Sequence, residues 1–97
     1  MLQINNLANI VKVIIAHQVT IIGPLAIDQA NKVIGLKVTD INKINVEINE
    51  GDPDTILTNL VKKYEELFGR ASVEVCKDAV KEMKPNIETS DLPDILQ

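Results

Sequence analysis

Gly35-Leu36-Lys37-Val38-Thr39-Asp40-Ile41-Asn42-Lys43-Ile44-Asn45-Val46-Glu47-Ile48-Asn49-Glu50-Gly51-Asp52-Pro53-Asp54 is the stretch that separates a mixed fold from an all-helical one. Ile44-Asn45-Val46-Glu47-Ile48-Asn49 alternates apolar and polar residues with a period of two, as a half-buried strand does. Leu36-Lys37-Val38-Thr39 alternates in the same way, and Asp40–Lys43 supplies turn residues between the two runs. The reading is a β-hairpin over 36–40 and 44–49. A lone hairpin is marginal in water, so it must pack on helices or extend across a dimer into a larger sheet.

Downstream, the same stretch ends in a helix start. Asp52 is suited to the N-cap, Pro53 to the first helical position, and Asp54 to the positive end of the helix dipole. Leu57, Leu60, Val61, Tyr64 and Phe68 then recur at helical spacing, joined by Ile56 and Leu67, with Lys62, Lys63, Glu65 and Glu66 on the outer side. This predicts a helix over 53–68, closed by Gly69. A second amphipathic helix is expected over 71–84, with Val73, Cys76, Val80 and Met83 as its stripe and Ala79 beside it. The short link at Gly69-Arg70 makes the two a helical hairpin.

Upstream, Gly35 reads as the residue that ends a short helix over 24–34, begun by Pro24. Ala26, Ala30 and Val33 form its inner side, and Asp28, Gln29, Asn31 and Lys32 face away. Before the Gly23-Pro24 break, Leu7, Ile10, Val11, Ile14, Ile15 and Ile22 fall at helical spacing, with Gln18 completing the row. The expectation is one helix over 4–22, capped by Asn5 or Asn6, with a possible break near His17. Val19–Ile22 is β-branched and competes as a strand. Ala8, Val13, Ala16, Val19 and Ile21 lie off the main stripe, so this helix is apolar on more than one face. Such a helix is central in a domain or forms an oligomer interface.

Beyond Pro85 the chain turns polar through Glu88-Thr89-Ser90. Residues 86–97 read as a docked or flexible C-terminal tail. Leu92, Ile95 and Leu96 fall on one side of a short terminal turn, which either docks on the domain or serves as a linear motif for a partner groove. The whole, 1–97, is a single small α+β domain, mostly α: two N-terminal helices, a β-hairpin, a helical hairpin and a short C-terminal turn around an aliphatic core.

Composition narrows the function classes. Of 97 residues, 10 are Lys or Arg and 14 Asp or Glu, a net charge of −4. That balance, with a single arginine at Arg70, disfavours nucleic-acid binding, which draws affinity from neutralised phosphates. One cysteine, Cys76, forms no internal disulfide, and with one histidine, His17, it offers no zinc ligand set. The apolar run Leu7–Ile22 is broken by Asn9, Lys12, His17 and Gln18 and is too short to cross a membrane. The opening residues do not read as a signal peptide. The expectation is a reduced, cytoplasmic protein with no cofactor.

Candidate sites are few. Glu50, Asp52 and Asp54 crowd three acids together, but they lack the calcium-loop pattern, and capping explains them. Cys76 sits on a helix stripe, where a free thiol acts as a small hydrophobe. His17 is expected near a helix end, where its charged form would face the helix C-terminus. Tyr64 and Phe68 are expected in the core. The leading functional expectation is therefore a noncatalytic protein-interaction or regulatory module that forms a homodimer, with Ile10, Val13, Ile14, Val19 and Ile21 at the interface. The second is a pocket protein or small enzyme whose polar groups, His17, Asp28, Tyr64 and Glu65, gather only on folding. The third is a nucleic-acid-associated regulator.

Overall fold

A computed structural model describes residues 4–39, 43–83 and 92–97. The order is α1 (Ile4–Ile22), α2 (Leu25–Ala30), β1 (Leu36–Thr39), β2 (Asn45–Ile48), α3 (Pro53–Phe68), α4 (Arg70–Lys81) and a 3-10 turn at Asp94–Leu96. This is the mixed, mostly helical class that the alternation at 36–49 implies. The hairpin is antiparallel, pairing Leu36 with Ile48 and Val38 with Val46. Those four residues share the face turned to the core. Lys37, Thr39, Asn45 and Glu47 face outward and are exposed. The expected turn residues Asp40, Ile41 and Asn42 lie outside the described residues.

α1 is helical without a break at His17 and through Val19–Ile22, so the sheet has two strands among the described residues. Asn5 and Asn6, expected at the N-cap, lie within the helix. Leu7, Ile10, Val11, Ile14 and Ile15 are fully buried. α1 meets α2, β2, α3 and α4, and this explains how so short a chain covers a helix that is apolar on several faces. Val13, Val19 and Ile22 are half-buried against the same core.

α2 is shorter than the expected 24–34. Asn31 leaves the helix to serve the sheet: its side-chain carbonyl accepts from Val38 N at 2.7 Å, and its amide donates to Val38 O at 2.9 Å. The edge of β1 is thereby closed by a side chain, one way in which natural sheets block unwanted strand addition. Gln29, expected outside, is buried instead. Gly35 has φ +88°, and a Cβ placed there would lie 2.2 Å from the Glu50 carbonyl oxygen. Only glycine lets the chain pass Glu50 and enter the hairpin.

α3 begins as its sequence dictates. Asp52 accepts from Thr55 N at 3.3 Å and from the Thr55 hydroxyl, and Pro53 opens the helix. Ile56, Leu57, Leu60, Val61 and Tyr64 are buried. The stripe ends there: Leu67 and Phe68 are 39% and 51% exposed. Phe68, expected in the core, overhangs it, because α3 runs a full turn past its last buried residue before Gly69 reverses the chain. α4 follows at once and buries Ser72, Val73, Cys76, Ala79 and Val80. Lys84 and Pro85 lie outside the described residues.

Candidate functional site

Two polar contacts fix how the helices meet. Gln18, the polar member of the α1 stripe, is 1% exposed and donates to Ser72 O at 3.1 Å and to Cys76 Sγ at 3.4 Å. Tyr64 is fully buried, and its hydroxyl donates to Ala26 O at 2.8 Å. Among the described residues, no buried side-chain nitrogen or oxygen lacks a partner. Burying polar groups is tolerable only on that condition.

Burial shifts both titratable members of this layer. It pushes the Cys76 thiol up to about 11 from 9.0, with the Gln18 hydrogen bond acting weakly in the other direction. It raises the Tyr64 phenol well above its ordinary 10.0, and the neighbouring Cys76 adds to the rise. A thiol held protonated and out of solvent is a poor nucleophile. Cys76 is thus placed as a packing residue that also accepts a hydrogen bond.

The four groups of the pocket expectation are not drawn together. His17 Nε2 lies 3.0 Å from Glu82 Oε2, just past the end of α4. It faces α4 and not the end of its own helix, because α1 continues to Ile22. Tyr64 is committed to Ala26, and Asp28 and Glu65 are exposed. Glu50, Asp52 and Asp54 are exposed, and the oxygens of Asp52 serve the α3 cap. No group of three or more His, Cys, Asp or Glu side chains among the described residues is placed to hold a metal ion. No helix among them is long and apolar enough to cross a membrane.

The five expected interface residues separate. Ile10 and Ile14 are fully buried and have no surface to offer a second chain. Val13 and Val19 are half-buried against the core, and Ile21 is 61% exposed. Ile21 has exposed company that the α1 pattern alone does not reveal: Leu25, Leu67 and Phe68. Four links gather these residues at one end of the molecule. The Gly23-Pro24 turn joins α1 to α2, and the Tyr64–Ala26 bond ties α2 to the C-terminal half of α3. Gly69 joins α3 to α4, and the Gln18–Ser72 bond returns to α1. The ends of four helices thus form a closed ring. In the chain, exposed Glu65, Glu66 and Arg70 stand on either side of Leu67 and Phe68, with Glu66 paired to Lys63. A sequence signal for the overhang exists: Leu67-Phe68 stands directly before a terminating glycine, and Leu25 directly after Pro24.

At the other surface of α3 and α4 sits the C-terminal segment. Leu92 and Leu96 are each 4% exposed and belong to the core cluster, and Ile95 packs against it half-buried. The segment closes on itself: Leu96 N donates to Pro93 O at 2.9 Å and Gln97 Nε2 to Leu92 O at 2.7 Å. Beside it runs a cleft of about 530 Å³ whose walls include Asp54, Thr58 and Lys62 of α3 and Asp94 and Ile95 of the segment. A second depression of about 270 Å³ is lined by Leu92 and Leu96 together with Glu74, Lys77, Val80 and Lys81 of α4. A third depression, about 280 Å³, carries Lys32, Lys62 and Lys63 around the exposed Ile34, with Glu66 paired to Lys63 at 3.7 Å. Comparisons with protein-family models, with curated proteins and with solved structures find no match to this chain.

Proposed function

We propose that this chain is a noncatalytic interaction module that self-associates through the ring of helix ends carrying Ile21, Leu25, Leu67 and Phe68. One observation carries the reading: among the described residues, all the large exposed apolar side chains but Ile34 stand at the helix ends that these links tie together. Scattered exposed apolar residues need no explanation, whereas a contiguous set rimmed by polar residues marks an interaction surface. The occupant is a second copy. Arg70 and Glu65 are exposed on either side of Leu67 and Phe68 in the chain, so a two-fold pairing can set each copy's cation against the other's acid.

The test is sedimentation velocity over a wide concentration range. The expected species is a dimer of the 10.7 kDa chain, and Phe68→Asp and Ile21→Asp are each expected to dissociate it. Both positions are exposed, so each change should alter stability by no more than about 0.5 kcal/mol. A wild-type chain that sediments as a monomer at every concentration overturns the reading.

A further inference from the structure

We propose that the outer edge of β2 is a second self-association surface, on which the β2 strands of two copies pair antiparallel about Val46 and join the two hairpins into a four-stranded sheet. The contact is separate from the ring of helix ends and does not depend on it.

The phase of the hairpin fixes which peptide groups face outward. Asn49 N donates to Gly35 O at 2.8 Å, and the register sets Lys37 opposite Glu47 and Thr39 opposite Asn45. In an antiparallel ladder bonded pairs alternate with unbonded ones, so these three are the bonded pairs. Val38 on β1, and Val46 and Ile48 on β2, therefore turn their N–H and C=O groups away from the hairpin. At Val38 both groups are taken by the Asn31 side chain. At Val46 and Ile48 no backbone group among the described residues takes them. One edge is closed and the other is open, and an open edge is a template for another strand.

Side-chain burial has the same asymmetry. On the core face, Leu36 and Val38 of β1 are 6% and 2% exposed, whereas Ile44, Val46 and Ile48 are half-buried. A strand added beside β2 brings its own inward side chains alongside them.

The sequence of β2 fits a second copy in one register. Bonded pairs need outward groups on both strands, so a two-fold axis near the middle of the strand passes at Val46 or at Glu47. At Glu47 it would set two carboxylates directly opposite each other, which is destabilising. At Val46 it sets Glu47 opposite Asn45 of the second copy on the outer face, and Ile44 opposite Ile48 of the second copy on the core face. The gain is chiefly in backbone hydrogen bonds that water otherwise supplies, each small in net terms. This contact is therefore the weaker of the two, and it joins helix-end dimers as concentration rises.

The experiment uses the full chain carrying Phe68→Asp, which removes the helix-end contact. Amide NMR spectra and hydrogen exchange are followed as concentration increases. The Val46 and Ile48 amides should shift and gain protection, while those of Ile21 and Leu25 stay constant. Two further changes are made in this chain at Asn45, which is exposed. Asn45→Lys should tighten the pairing by facing Glu47 of the second copy, and Asn45→Glu should loosen it. The pair occurs twice, so the two dissociation constants should differ by about tenfold or more. Val46 and Ile48 amides that stay constant at every concentration overturn the proposal, and so do equal constants for the two Asn45 variants. Failure of the helix-end reading shows separately, as Ile21 and Leu25 amides that do not respond in the wild-type chain.

Discussion

Gln18 occupies a position that the helical stripe reserves for an apolar residue, and the structure shows what that exception accomplishes. Its amide reaches Ser72 O and Cys76 Sγ in a layer that also holds the Tyr64 hydroxyl near the α2 start. An apolar residue there would leave the Ser72 carbonyl with one partner fewer. The net loss of such a hydrogen bond costs roughly 0.5–1.5 kcal/mol. The layer also has a pH consequence. Cys76 and Tyr64 both titrate higher in the folded chain than their ordinary 9.0 and 10.0. Their neutral forms are therefore favoured by folding. Stability is full below pH 9 and falls as pH rises, by up to about 1.4 kcal/mol per pH unit for each group. For Cys76 the loss runs from pH 9 to about 11. Urea midpoints should accordingly be level between pH 7 and 8 and decline above 9. In Cys76→Ala the decline between pH 9 and 10 should be shallower, whatever the variant's stability at neutral pH. An equal slope in the two proteins would show that the thiol does not titrate on unfolding.

Elements were legible where local chemistry and pattern agree. The span of α1 follows from its repeat, and the start of α3 from Asp52-Pro53. α2 was not legible to its end. Asn31 stops it by bonding to Val38, seven positions away and in the sheet, and no periodicity encodes that pairing. Phe68 satisfies the α3 stripe yet stands exposed, because a repeat states which side of a helix is apolar and not how far its partner extends. Glycine positions separate in the same way. Gly23 and Gly35 both have positive φ, at +68° and +88°. A Cβ at Gly23 would meet nothing within 4 Å, whereas at Gly35 it would strike the Glu50 carbonyl. Gly23→Ala should cost only the backbone preference, about 1 kcal/mol. Gly35→Ala adds displacement of the β2–α3 connection and should exceed about 2 kcal/mol. Chemical denaturation of the two variants checks the order. Equal losses would mean that the Glu50 backbone yields freely.

On the scale of the whole molecule, the exposed helix ends and the docked C-terminal segment belong to different groupings. Ile21, Leu25, Leu67 and Phe68 sit on helix ends ringed by two turns and two hydrogen bonds. Leu92 and Leu96 sit against α3 and α4 beside the side chains of Lys62 and Lys81. No residue is shared between the two sets. Effects of changes at separate sites without shared partners should add. Phe68→Asp should therefore dissolve the dimer and leave stability within about 0.5 kcal/mol. Leu92→Ser, at a residue of the core cluster, should lower stability by about 2 kcal/mol or more and leave the association constant of the folded chain as it was. Sedimentation and urea denaturation of both variants decide this, and a change in both readouts from either variant would merge the two sets into one. The sequence singled out Ile21 and the Leu92–Leu96 motif. The rest of each set was hidden, because Leu25, Leu67, Phe68 and the lysines beside Leu92 and Leu96 come together only through contacts between distant parts of the chain.

The position of α1 also bears on how the chain is made. Within this domain α1 is made before α2, α3 and α4, and its principal partner, α4, follows the other three. The contact that seals them, Gln18 to Ser72, spans 54 positions. While the ribosome is still delivering the hairpin and α3, a helix with Ile10, Val11, Ile14 and Ile15 on one face has nothing complete to lie against. Folding of this domain is in effect deferred to the end of its translation. During that interval the nascent chain presents the apolar surface that holding chaperones bind.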